Sequence, residues 1–177
     1  MKYILATIIL ILSMNTTTLF DFNKDSIVRE WRVVDDVVMG GRSTGAFFIN
    51  ENGHGVFEGT VSLENNGGFS SIRHSSSYRI PVNQRKISIR LKGDGRSYQF
   101  RLKHDRNSWE SYIYNFKTTG NWQVVEIPLN EMYPSFRGRK LNKENFNFNT
   151  IAEMGFLIGN KQNENFRLEI DKLELIQ

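Results

Sequence analysis

Apolar and polar residues alternate with a period of two through most of this chain after Asp25, and that rhythm constrains the fold more than any other feature. In "QRKISIRLKG", Ile87, Ile89 and Leu91 take one face while Lys86, Ser88 and Arg90 take the other, the pattern of a half-buried strand. Similar runs recur at "VFEGTVSL", "SYQFRLKH", "WESYIYNFKT", "WQVVEIPL", "IAEMGFLIG" and "FRLEIDKLELI". Turn residues separate them, as in Gly93-Asp94-Gly95 and Thr119-Gly120-Asn121. Many short antiparallel strands predict an all-β fold, a two-sheet sandwich or jelly roll that leaves one sheet surface or one set of edge loops for function. The best helical stretch is "NKENFNFNTI", residues 142–151, with Asn142 as its cap and Phe146 packing down onto the sandwich.

A chain of 177 residues that is 39% hydrophobic and holds thirteen Phe has apolar area enough for one core. The formal net charge of +4 comes from basic residues scattered among acidic ones, without the concentrated stripe that nucleic-acid binding needs, so no nucleic-acid partner is expected. Cysteine is absent, which removes disulfides, thiolate nucleophiles and thiolate zinc sites. At the N-terminus, "MKYILATIILILSM" carries one basic residue and then an apolar run from Tyr3 to Leu12. The run is short for a bilayer span and suits a secretory leader. The expected organisation is a signal peptide or anchor over residues 1–22, cut between Ser13 and Phe22, followed by one β-sandwich domain over 23–177. The expected location is exported, periplasmic or extracellular, with membrane attachment only through the N-terminal segment.

Catalytic chemistry is hard to find. His54, His74 and His104 fall on different strands or strand ends and read as single surface histidines, with no i, i+4 pair for zinc. Ser70-Ser71 lies inside a β stretch without the G-x-S-x-G elbow of a serine nucleophile. In "GHGVFEG" the glycines are Gly53, Gly55 and Gly59, with no helix following, so the segment reads as a hairpin and not a nucleotide loop. No catalytic residue, metal or cofactor is expected, and the chain reads as a non-enzyme.

Three segments stand out instead. In "DDVVMGGRS", Asp36 precedes Met39, Gly40 and Gly41 at a distance that lets its carboxylate accept N–H bonds from the turn, which would make it a loop brace. The functional alternative sets Asp36, Gly40, Gly41 and Ser43 at the mouth of a ligand groove with Met39 as an apolar contact. Asp35 and Asp36, adjacent on an extended strand, point to opposite faces and make a poor acid pair. In "ENNGGFSSIRH", Arg73 must meet a carboxylate such as Asp36, line a solvated face, or snorkel at an edge. "PSFRGRKL", read as a loop and not a regular strand, offers Arg137 and Arg139 around Gly138.

Parity adds Arg101 to these: if Tyr98, Phe100 and Leu102 face the core, then Gln99, Arg101 and Lys103 form an open basic surface. Tyr98, Trp109, Tyr112 and Tyr114 on neighbouring strands are the rings on which sugar faces could stack.

Taken in order, "WRVVDDVVMGGRS", "VFEGTVSLENNGGFSSIR", "WQVVEIPLNEMYPSFRGRKL" and "MGFLIGNKQNENFRLEIDKLEL" resemble the complex I intermediate-associated protein 30 family over Trp31 to Leu175. The most specific pieces are D-x-x-M-G-G-x-S, N-G-G-F and F-R-G-R. The resemblance implies a galactose-binding-like jelly roll related in shape to carbohydrate-binding modules, and an assembly or chaperone role such as mitochondrial members have for respiratory complex I. The expected partner is a protein, such as a membrane-complex assembly intermediate, held by a sheet face and the 36–43 loop. The alternative is a glycan. The expected binding residues are Asp36, Met39, Gly40, Gly41, Ser43, Arg73, Arg101, Arg137, Arg139, Trp109 and Tyr112.

Overall fold

Among the described residues, thirteen strands build two antiparallel sheets that face each other across one core. The computed structural model describes residues 16–177, and the side chains of Val38 and Met39 lie outside that description. The strands are β1 (Thr17–Asp21), β2 (Trp31–Asp35), β3 (Thr44–Ile49), β4 (Gly55–Val61), β5 (Ser70–Arg79), β6 (Lys86–Lys92) and β7 (Ser97–Lys103). There follow β8 (Ser111–Lys117), β9 (Trp122–Pro128), β10 (Tyr133–Phe136), β11 (Arg139–Lys140), β12 (Thr150–Ile158) and β13 (Glu164–Ile176). Sheet A runs β3-β4-β13-β6-β9 with β1 also on β13, and sheet B runs β11-β10-β8-β7-β12-β5-β2.

The period-two pattern explains the layers. On β6, Ile87, Ile89 and Leu91 are fully buried, and on β7 the same holds for Tyr98, Phe100 and Leu102. The inward rows meet in an aromatic-rich core, where Phe100 packs on Phe156 at 5.2 Å between ring centres and Phe57 on Phe166 at 4.7 Å. Each fully buried Phe or Leu of this kind contributes roughly 1.5–3 kcal/mol relative to exposure. Gly53, with φ of +87°, turns β3 into β4, so "GHGVFEG" closes the expected hairpin.

Four expectations change. First, sheet structure starts before residue 23, inside the segment expected as leader: β1 pairs with β13 from Thr17, and Leu19 and Phe22 are core residues. Any cut within Thr17–Phe22 would remove part of a sheet. The apolar run Tyr3 to Leu12 lies outside the described residues. Second, residues 142–149 form no helix. Phe146 does pack into the core, edge-on to Tyr112 at 5.2 Å, but its neighbours Asn145 and Asn147 are exposed. Third, "PSFRGRKL" is strand, not loop: β10 and β11 pair through Phe136 and Arg139. Arg137 and Gly138 both adopt positive φ, 47° and 75°, the two-residue turn that suits the twist of a hairpin. Fourth, His74 is buried, not on the surface. Its ring stacks on Trp31 at 5.1 Å and its Nδ1 meets the Glu30 carbonyl at 3.1 Å. Burial lowers its pKa, against the smaller opposing pull of Glu30.

Candidate functional site

Asp36 opens a short 3-10 turn after β2, and its side chain has no solvent exposure. One carboxylate oxygen accepts the Ser43 N–H at 3.0 Å; the other accepts the Ser43 hydroxyl at 2.5 Å and the N–H groups of Gly68 and Phe69 at 2.6 and 3.1 Å. Burial alone would raise its pKa, but the bonds from Ser43, Gly68 and Phe69 outweigh burial and hold the carboxyl below its ordinary value. Two glycines let the backbone close over it: a Cβ would lie 2.2 Å from the carboxylate at Gly41 and 2.6 Å from it at Gly67. The D-x-x-M-G-G-x-S and N-G-G-F segments are therefore one structural unit, organised around a single buried anion. Asp35 braces the neighbouring strands separately, accepting the Gly45 N–H at 3.0 Å and the Ser70 hydroxyl at 2.5 Å.

This geometry corrects part of the expected site. Asp36, Gly41 and Ser43 are interior, and the bonds between Asp36 and Ser43 brace the loop away from solvent. The donors to Asp36 are not the N–H groups of Gly40 and Gly41, which bond to backbone carbonyls of the turn. Gly40 is exposed and carries the left-handed φ of +89°; for Met39 only the backbone is described. Nor does Arg73 pair with Asp36, whose carboxylate is held instead by Ser43, Gly68 and Phe69.

The aromatic expectation divides as well. Tyr98 and Tyr112 are 1% and 3% exposed and face the core, so neither presents a ring to a sugar. Trp109 is 51% exposed. It lies edge-on to Phe136 at 4.9 Å, under the Lys143 ammonium at 4.7 Å. The Arg137 guanidinium lies over Phe136 at 5.3 Å, and Arg139 is exposed on β11. Trp109, Arg137 and Arg139 thus share the β10–β11 edge of sheet B, whereas the Asp36 loop follows β2 at the opposite edge. The structure does not bring those two motifs together.

Between the edges lies the outer face of sheet B. With Tyr98, Phe100 and Leu102 turned inward, Gln99, Arg101 and Lys103 turn outward, as strand parity requires. Arg73 is outward on β5 between buried Ile72 and His74. Sequence reasoning missed Arg32, Glu153 and Gly155, which share this face; the outward parity of β2 and β12 was the available signal.

The charges here are less neutralised than those on sheet A. There Arg167 pairs with Glu58 and Glu169, Arg90 meets Asp171 at 2.7 Å, and Lys172 meets Glu174 at 2.7 Å. On sheet B, neither Arg73 nor Arg101 forms an ion pair with a carboxylate among the described residues. Arg101 has a long contact with the Gln99 amide oxygen at 3.4 Å. Burial first, and then the like charge of Arg73, push the Arg101 guanidinium down to about 10, with Glu153 and Tyr133 pulling the other way. It stays charged at neutral pH. Among the described residues no cluster of His, Asp or Glu could hold a metal ion, and no helix is long and apolar enough to cross a membrane.

A likeness to solved sandwiches supports the architecture. A family 11 carbohydrate-binding module from Clostridium thermocellum, in complex with a β-1,3-1,4-mixed-linked tetrasaccharide, superposes with a TM-score of 0.67 at 15% identity, covering 93% of this chain and 96% of that one. The same family's module from the cellulosomal cellulase Lic26A-Cel5E gives 0.68 at 15% identity, over 93% and 95% of the two chains. At this identity the likeness concerns the fold alone, a two-sheet β-sandwich.

In sequence, the chain is 26% identical over 185 aligned residues to "Complex I intermediate-associated protein 30, mitochondrial" of Drosophila melanogaster, covering 90% of this chain and 62% of that protein. It is 25% identical to the probable Caenorhabditis elegans counterpart, over 74% of this chain and 45% of that one. The chain thus spans roughly half to three-fifths of these relatives' length. The family model described as Complex I intermediate-associated protein 30 (CIA30) matches residues 20–170, from β1 to the middle of β13, and the chain belongs to that family.

Proposed function

We propose that the chain is a non-catalytic docking domain that holds a protein partner against the outer face of sheet B, and that the partner is an assembly intermediate of a membrane complex. The observation that carries the reading is the contrast between the two sheets: on sheet A, Arg90, Arg167 and Lys172 are ion-paired within the chain, while Arg73 and Arg101 on sheet B form no ion pair among the described residues. Such cations cost little at a face that later meets complementary charge, and they steer association with an acidic partner. The names of the relatives suggest the partner class. Those names also say mitochondrial, whereas export rests on the N-terminal run alone, and the docking reading holds for either compartment.

A glycan ligand is the second reading, favoured by the fold likeness and by the exposed Trp109 ring. Against it, Tyr98 and Tyr112 point into the core. The test blocks the face without altering its arginines: Gln99→Trp and Asn115→Trp place bulk on outward positions of β7 and β8. Affinity capture from the source membranes, with mass spectrometric identification, should yield subunits of a membrane complex with the wild type and lose them with either variant. Capture unchanged by both variants overturns the docking face. Retardation of the protein in a gel containing mixed-linked β-glucan, abolished by Trp109→Ala, would establish the glycan reading instead.

A further inference from the structure

Strand register places three arginines in one line across sheet B. Arg32 on β2 pairs with Arg73 on β5, Arg73 pairs with Gly155 on β12, and Gly155 pairs with Arg101 on β7. Facing residues in neighbouring strands stand about 5 Å apart, so Arg73 and Arg101 flank a position that carries no side chain. That position must stay empty, since a Cβ at Gly155 would lie 2.3 Å from the Ile72 carbonyl oxygen. The result is a small cleft of about 10 Å³, with Ser71, Arg73, Arg101, Ser111 and Glu153 among the residues around it; that is room for about one water, so an anion meets the arginines at its mouth. Arg73 and Arg101 therefore border this cleft from opposite sides of a glycine, with Ser71 and Ser111 also in its lining.

The adjacent row shows what a neutralised version looks like. One pair along, Glu153 on β12 has Lys103 on one side and Ser75 on the other. The glycine row lacks that carboxylate. We propose that the Arg73–Gly155–Arg101 row is an anion-binding slot that takes an Asp or Glu side chain from an acidic segment of the partner. The inference rests on the docking reading and names the chemistry by which the partner is held. A carboxylate between the two forks receives charge-assisted hydrogen bonds from both, and it supplies the counter-charge that this row lacks. An acidic peptide fits better than an acidic sugar, because the ring closest to the row on this face is Tyr133. Its hydroxyl already accepts from Asn115 at 2.8 Å, and Lys140 covers its ring at 5.2 Å, which leaves no open platform for stacking.

The test is fluorescence anisotropy of the full chain with a short labelled peptide of alternating Glu and Ser, a matched Gln-Ser peptide, and an oligogalacturonate as competitor. The Glu peptide should bind and the Gln peptide should not. Arg73→Gln and Arg101→Gln should each weaken binding at least about tenfold, while Arg137→Gln with Arg139→Gln, on the far hairpin, should leave it within about twofold. Added salt should weaken wild-type binding, with screening acting over about 10 Å at moderate ionic strength. Equal peptide binding by the wild type and both single variants overturns the slot. Displacement by the oligogalacturonate with no peptide preference assigns the slot to acidic glycans and overturns the peptide assignment. If the slot fails while Gln99→Trp still abolishes partner capture, only this inference falls; if capture also survives Gln99→Trp and Asn115→Trp, the docking face falls with it.

Discussion

The Asp36 loop and the arginine row of sheet B are both charged, both partly or wholly withdrawn from water, and solved in opposite ways. Asp36 is completely buried, and its carboxylate receives four hydrogen bonds from the chain itself. Arg101 is half-buried, feels the like charge of Arg73 more than the attraction of Glu153, and forms no ion pair among the described residues. A charge that the chain satisfies internally serves the fold, because its removal strands the donors gathered around it. A charge left short of partners adds little to the fold and is available to another molecule. The difference separates two sets of residues that the motifs alone had merged into one site.

The largest effect should come from breaking the loop. Asp36→Ala strands the N–H groups of Gly68, Phe69 and Ser43 in a buried place, at about 1–3 kcal/mol for each unsatisfied group before relaxation, so a total loss of about 3–5 kcal/mol is expected. Asp36→Asn keeps one acceptor oxygen but loses the charge, and should cost about 1–3 kcal/mol. Urea denaturation midpoints check both values, and a midpoint unchanged in Asp36→Ala would show that the loop does not depend on this anion.

Acid sharpens the same contrast. The folded pKa of Asp36 lies below its ordinary value, so its contribution is fully present above the unfolded carboxylate pKa and is lost as pH falls through the lower folded value. The stability gap between wild type and Asp36→Asn should therefore be widest near neutral pH and should narrow below the ordinary carboxylate range. A gap that stays constant from pH 7 to about pH 2 would contradict the assignment of a charged, hydrogen-bonded Asp36.

How far the sequence could carry this follows from which contacts are local. Strand parity is local, and it correctly turned Tyr98, Phe100 and Leu102 inward and Arg101 outward. The loop-bracing role of Asp36 was legible from D-x-x-M-G-G, but two of its donors, Gly68 and Phe69, come from the N-G-G-F turn more than thirty positions away. Only the folded sheet brings that turn back to β2. The β10–β11 hairpin was misread as a loop because a non-glycine residue, Arg137, adopts a left-handed φ there, which Arg does not advertise. The helix expected at 142–151 lost to tertiary packing, where burying Phe146 against Tyr112 outweighed local propensity. The arginine row was out of reach for a different reason: parity puts each arginine on a face, but the register that aligns Arg32, Arg73 and Arg101 across separate strands is a property of the assembled sheet.

The central claim is that the sheet B arginines serve a partner while those of sheet A serve the fold, and two variants with equal loss of charge test it most directly. One replaces Arg73 and Arg101 by Gln on sheet B; the other replaces Arg90 and Arg167 by Gln on sheet A, where both are ion-paired. Capture of membrane-complex subunits from the source membranes is compared for each, with denaturation midpoints measured alongside. The account predicts that the sheet B variant loses capture at least about tenfold while keeping its midpoint within about 1 kcal/mol of wild type, and that the sheet A variant keeps capture. Equal loss in both variants would mean that net charge alone governs binding, and loss confined to the sheet A variant would place the docking face on the other side of the sandwich; either result would contradict the account.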